Sequence, residues 1–203
     1  MTRILGLVLP FSIIAVPIFL SVTAHAAPVP WALDKAHTRV GFSVRHLAIT
    51  NVHGQFHDFD AVLTAEPDSG KLTSVQATAK TTSVDTGIKA RDEHLRGDDL
   101  FNAERFPTLR LESRSIRWDK DRFTAEVDVT LRDVTRRVLF TGELVGVRKV
   151  DFGQGPELRA GYEASATINR QDFGLRFNRV AEGTAVVGDE VTLVLAIQMS
   201  RRL

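Results

Sequence analysis

Cysteine is absent from the 203 residues, which excludes disulfides, zinc–thiolate centres, haem attachment through Cys and thiol catalysis. An excess of either charge is also absent, since 26 Lys and Arg stand against 25 Asp and Glu. That balance supplies no long-range attraction for nucleic acid or for an anionic membrane surface. Beyond Leu20 no apolar run is long enough to cross a bilayer as a helix. Catalytic signatures are missing as well. There is no Gly-x-Ser-x-Gly elbow, no His-Glu-x-x-His pair and no phosphate loop. Gly153-Gln154-Gly155 runs directly into Pro156, which makes it a turn and not the opening of a nucleotide-binding helix. A non-enzymatic role is expected, with no cofactor and no metal.

The first residues have a different character from the rest. Arg3 is followed by the mostly apolar stretch Ile4–Leu20, and Ala24-His25-Ala26 has the small-x-small form that signal peptidase accepts. A membrane anchor competes with this reading, but Pro10, Pro17 and Ser12 weaken it. Residues 1–26 are therefore expected to be a cleaved secretory signal and 27–203 a single exported domain. Its core must hold it without disulfide help.

From Trp31 onward apolar residues recur at every second position, the period of a strand with one buried face. Val40, Phe42 and Val44 alternate with Arg39, Gly41, Ser43 and Arg45. The same rhythm marks Phe59–Leu63, Val75–Ala79, Leu109–Leu111, Phe123–Leu131, Ala160–Ile168 and Val191–Met199. Turn residues break it at Asp68-Ser69-Gly70, Asp119-Lys120-Asp121, Gly153–Pro156 and Val187-Gly188-Asp189. Short connections pair neighbours antiparallel, and about eight strands close a barrel whose interior can hold one small ligand. A two-layer sandwich satisfies the same alternation.

One segment departs from the rhythm: Arg91–Pro107, RDEHLRGDDLFNAERFP. Asp92 precedes Arg96 by four positions, a favourable pair on one helix face. Thr86 or Asp85 is placed to cap the start, and Gly97 to end it. One or two short helical turns at about 88–105 are expected across an end of the sheet, with Leu95, Leu100, Phe101 and Phe106 pointing onto the core.

Five blocks carry a family resemblance. HTRVGFSVRHL at 37–47, VHGQF at 52–56, RDEHLRGDDLFNAERFPTL at 91–109, LRDVTRRV at 131–138 and INRQDFGL at 168–175 resemble, in order and together, the YceI-like family. The resemblance implies an all-β, lipocalin-like barrel exported to the periplasm, with a long apolar cavity for polyisoprenoid or related long-chain lipids. The chain departs from the family pattern at Gly97–Asn102, where Ser-x-Asp-Phe-Phe-Asp is usual, and at Asp133, where Gly is usual. Asp133 tolerates left-handed turn geometry. Leu100 in place of Phe is expected to reshape the cavity mouth.

The inward faces then define candidate ligand-binding residues. They are Val40, Phe42 and Val44; Phe59 and Leu63; Leu100, Phe101 and Phe106; Leu109 and Leu111; Val127 and Val129; Phe140; and Leu193 and Leu195. Chain burial at about 0.8 kcal/mol per CH2 would dominate affinity. The competing reading is that these side chains fill a solid core. Arg91, His94 and Arg96 are candidates for a charged head group, since guanidinium binds phosphate through paired donors. Asp92, Glu93, Asp98 and Asp99 are near enough to claim them as ion pairs instead. His37, His46, His53 and His57 fall close together and could ligate zinc, copper or nickel, or serve as hydrogen-bonding residues at strand ends. The expected partner is a long-chain isoprenoid or fatty amphiphile, with a possible transient membrane-protein partner, in a monomer or homodimer. A quinone-associated or metal-binding periplasmic redox or stress accessory protein is the alternative.

Overall fold

The alternating stretches become strands, and the strands close on themselves. In the computed structural model, which describes residues 26–203, the order along the chain begins with β1 (Val29–Leu33), β2 (Arg39–His46), β3 (Thr50–Phe56), β4 (Phe59–Ala65), β5 (Leu72–Lys80) and β6 (Val84–Asp85). Helix α1 (Lys89–Arg96) follows, then β7 (Thr108–Asp119), β8 (Arg122–Leu131), β9 (Val134–Val150) and β10 (Glu157–Asn169). A small hairpin of β11 (Val180–Ala181) and β12 (Thr184–Ala185) precedes β13 (Val187–Arg202). The signal-peptide expectation for 1–26 lies, apart from Ala26, outside the described residues. No helix among the described residues is long and apolar enough to cross a membrane.

Three strand pairs act as single staves interrupted partway. Both β1 and β2 pair antiparallel with β13, through Leu33↔Met199 and Arg39↔Ala196. Opposite them, β4 pairs with β1 and β3 with β2. Likewise β5 pairs with β4, and β6 with β3. The ring then passes through β7, β8, β9 and β10 back to β13, an eight-stranded antiparallel barrel whose staves follow chain order and which closes where β13 meets β1 and β2.

The first interruption is Asp34–Thr38. Asp34 accepts the backbone N–H of Ala36 and His37 and the Gln198 amide at 2.8 Å, folding 35–37 into one tight turn. Along β8, Phe123, Ala125, Val127, Val129 and Leu131 are buried while Arg122, Thr124 and Glu126 are exposed, as period 2 demands.

One local expectation fails. Val187-Gly188-Asp189 is no turn: it lies in β13 at a bulge opposite Arg45, where four steps from Val187 to Val191 face two from His46 to Val44. Asp133 does lie in the β8–β9 turn, beside Arg132, which takes the left-handed conformation with φ +58.

Candidate ligand-binding lumen

The two ends of the barrel are built differently. At the base, where the β4–β5, β7–β8 and β9–β10 turns gather, Trp31 and Tyr162 are buried, and Trp118 packs at 4.9 Å from Phe123 and 6.5 Å from Tyr162. The Trp118 indole donates to the Leu72 carbonyl at 2.9 Å, and the Tyr162 hydroxyl donates to the Gly70 carbonyl. Burial pushes the Tyr162 phenol well above its ordinary pKa, so it stays a neutral donor.

The mouth is covered by α1 and the turns that follow it. The cover is fastened by backbone carbonyls. The Arg132 guanidinium donates to Leu100 O and Gly174 O at 3.2 and 2.7 Å, and Asp99 O accepts Arg176 and Phe177 N–H. Underneath, Phe101 meets Phe56 edge-on at 5.7 Å, and Phe56 lies 5.8 Å from Phe42.

Between these ends lie two apolar chambers. The mouth chamber, about 120 Å³, is bounded by Phe42, Val44, Leu95, Leu100, Phe101, Val129 and Leu193 among others. The base chamber, about 90 Å³, is bounded by Phe59, Leu63, Leu72, Ile116, Val127 and Phe140 among others. Val40, Leu109, Leu111 and Leu195 border both. Many of these side chains, Val40, Phe42, Leu111 and Leu195 included, point inward yet are only partly buried. Their free surface faces the hollow.

Fourteen of the fifteen residues expected to line the lumen do border a chamber. Phe106 does not. Its ring is held on the outside between the Arg105 and Arg132 guanidiniums, at 5.0 and 5.2 Å, because the chain turns outward at Pro107 to enter β7. Leu95 and Phe56, by contrast, join the mouth wall.

The three residues expected at a head group are occupied by the fold itself. Arg91 donates to Thr86 Oγ1 and Thr86 O at 2.7 and 2.9 Å, and Arg96 to Thr82 O and Val84 O at 2.8 and 2.9 Å. Neither arginine pairs with an acidic neighbour. His94 reaches Asp99 at 3.1 Å and meets the Phe177 ring edge-on, with centroids 4.6 Å apart. The expected Asp92–Arg96 pair is replaced by a buried Asp92 that accepts Thr86 N–H and O–H at 2.8 and 2.6 Å. Thr86 thus serves the helix through Asp92, and the N-cap position is Ile88.

The charged residue of the mouth wall also escaped the sequence reading: Arg170, 3% exposed. Its guanidinium donates to Gly188 O at 2.9 Å, Leu175 O at 2.7 Å, Val187 O at 3.4 Å and Asp189 Oδ1 at 2.8 Å, filling the β13 bulge. Its place in the INRQDFGL block was the available signal.

The histidines are dispersed. His37 bonds Asp34 and His57 bonds Asp85, both on exposed surface, and among the described residues no group of three or more His, Asp or Glu is arranged to hold a metal ion. His57 and the Gly87 N–H hold the Asp85 carboxyl below its ordinary pKa.

Comparison with known proteins places this geometry in context. A YceI-like domain profile matches residues 31–199. A "UPF0312 protein" of Photorhabdus laumondii is 34% identical over 154 residues, 76% of this chain and 79% of that one. Among solved structures, a Campylobacter jejuni YceI protein superposes with a TM-score of 0.67 at 28% identity, covering 85% of this chain and 98% of that one. A polyisoprenoid binding domain from Saccharophagus degradans shares the fold, with a TM-score of 0.56 at 13% identity over 83% of this chain and 97% of that one.

Proposed function

Because the chain belongs to the YceI-like family, we propose that it sequesters a single long apolar tail, prenyl or acyl, in its lumen and carries or stores that amphiphile unchanged. The observation that carries this reading is the pair of end-to-end chambers walled by inward aliphatic and aromatic side chains. A carrier needs dry volume that its own core has left unfilled, and the partly buried Leu111, Leu193 and Leu195 border such volume. A domain of the same fold is described as polyisoprenoid-binding, which makes a prenyl chain the first candidate.

Chamber size refines the ligand class. Each chamber is smaller than the roughly 150 Å³ that accepts one benzene ring. A rigid ring system therefore fits poorly, whereas a flexible chain can thread as side chains change rotamer. Any polar head stays at the rim, because neither chamber offers it an unengaged partner. The mouth is the end that opens. Its cover hangs on guanidinium-to-carbonyl bonds that water can replace, while the base is packed with buried aromatic rings. Export to the periplasm and the absence of chemical conversion complete the proposal. Both are consistent with the N-terminal pattern and with the missing catalytic motifs.

Mass spectrometry of lipid extracted from the natively purified mature protein tests it. A stoichiometric prenyl or long acyl amphiphile is expected. Recovery of none from native membranes or cells, together with no binding of added prenyl or acyl probes, would leave the barrel as a plain scaffold.

A further inference from the structure

The interior volume falls into a mouth and a base chamber that meet at one place, where, among the described residues, four side chains border both: Val40, Leu109, Leu111 and Leu195. Their placement across the barrel explains the division. Leu195 and Val40 are direct partners on β13 and β2. Leu109 and Leu111 lie on β7, four staves from β13 in either direction round the ring of eight and three from β2 by the shorter way, and so on the opposite wall. Two aliphatic pairs thus converge from opposite sides at one level. The residues that face Leu109 and Leu111 on the neighbouring β5 are only Ala79 and Ala77, so the larger side chains alone set the width there.

We infer that these four residues form a waist that selects the ligand by tail length, with Leu111 as the principal specificity-determining residue. The inference rests on the lipid-binding reading above. A short tail occupies the mouth chamber alone and does not pass beyond the waist. A longer tail gains the base chamber only by displacing the waist side chains, whose backbones are fixed by ladder hydrogen bonds on both sides. Of the two β7 members Leu111 is the freer to move or to be replaced: it is partly buried where Leu109 is buried, and its β8 partner is the compact Val129.

The dependence of affinity on chain length reads this out. Prenyl alcohols of two to five isoprene units and straight-chain fatty acids of eight to eighteen carbons are titrated into wild type, Leu111→Ala and Leu195→Phe. Each further buried CH2 strengthens binding roughly fourfold. In wild type this gain should stop at the length where the tail meets the waist. In Leu111→Ala it should continue, so that the longest probes bind at least tenfold more tightly than to wild type. In Leu195→Phe the long probes should bind more weakly than to wild type. Far-UV circular dichroism and a cooperative melt show that the variants fold, and the quantity compared is the ratio of long-probe to short-probe affinity within each protein. Xenon, which enters dry apolar cavities, gives a readout free of lipid. Two separate sites are expected in wild-type crystals and one continuous site in Leu111→Ala. Equal length dependence in the three proteins, or a single continuous xenon channel in wild type, overturns the waist while leaving lipid binding intact. Failure of every probe to bind wild type overturns the lipid-binding reading and the waist with it.

Discussion

The hydroxyl of Tyr162 on β10 donates to the carbonyl of Gly70, 92 residues earlier in the turn between β4 and β5. Gly70 has φ +69, and a Cβ there would lie 3.4 Å from that hydroxyl and 3.2 Å from Ala160 Cβ, so the turn reaches the ring only as glycine. Tyr162→Phe leaves a buried carbonyl unpaired and should lower unfolding free energy by about 1–3 kcal/mol in urea titration. Binding of a short lumen probe at the mouth should not change.

Arg170 joins the 170–175 turn to the β13 bulge through four donated bonds while 3% exposed. Arg170→Gln strands the carbonyls of Leu175, Val187 and Gly188, and about 2–4 kcal/mol of stability should be lost in denaturant unfolding. Arg170→Lys should recover less than half, since one ammonium cannot reproduce the planar fork.

Gly54 on β3 leaves room for the ring of Phe42 on β2. A Cβ at 54 would overlap Phe42 Cζ, lie 2.7 Å from Phe42 Cε1 and 2.9 Å from Thr86 Cγ2. Gly54→Ala should cost about 1–3 kcal/mol through overpacking and push Phe42 from its place in the mouth wall, weakening probe binding. Adding Phe42→Ala should cancel part of the loss, a coupling measurable in a double-mutant cycle.

The Asp34 carboxyl sits below its ordinary value of 3.8: burial acts to raise it, but hydrogen bonds from His37 and Gln198 outweigh burial. A depressed folded-state value means stabilisation that is present above 3.8 and lost as pH falls through the folded-state value. Thermal melts of wild type and Asp34→Asn from neutral to acidic pH should therefore converge at the acidic end. A gap unchanged at low pH would count against the assignment.

Much of the barrel was legible because a one-sided sheet writes its buried face into alternate residues, as β8 and β13 do. The 17-residue β9 was less so. Its outward Leu139 and Val145 are 60% and 65% exposed, and a bulge at Gly161/Tyr162 shifts the register partway, so its apolar residues lose period 2. Of the broken staves, β2 and β4 show their alternation, whereas β1 and β3 do not: β1 is only five residues long, and Gly54 supplies no side chain at an inward position of β3. Phe106 misled because a hydrophobic residue beside a lid reads as inward, whereas two guanidiniums hold it outside. The roles of Arg91 and Arg96 have no sequence signature, since three of their four acceptors are main-chain oxygens that every residue carries; Arg170 has only its place in the INRQDFGL block.

The aromatic packing around Trp118 and Tyr162 makes the barrel a blind sleeve. In the carrier reading proposed above, a tail that goes in must back out along the same path, and cargo does not pass through from a donor on one side to an acceptor on the other. Donor and acceptor would have to take turns at a single doorway, and a molecule of this protein would have to leave the first before it could serve the second.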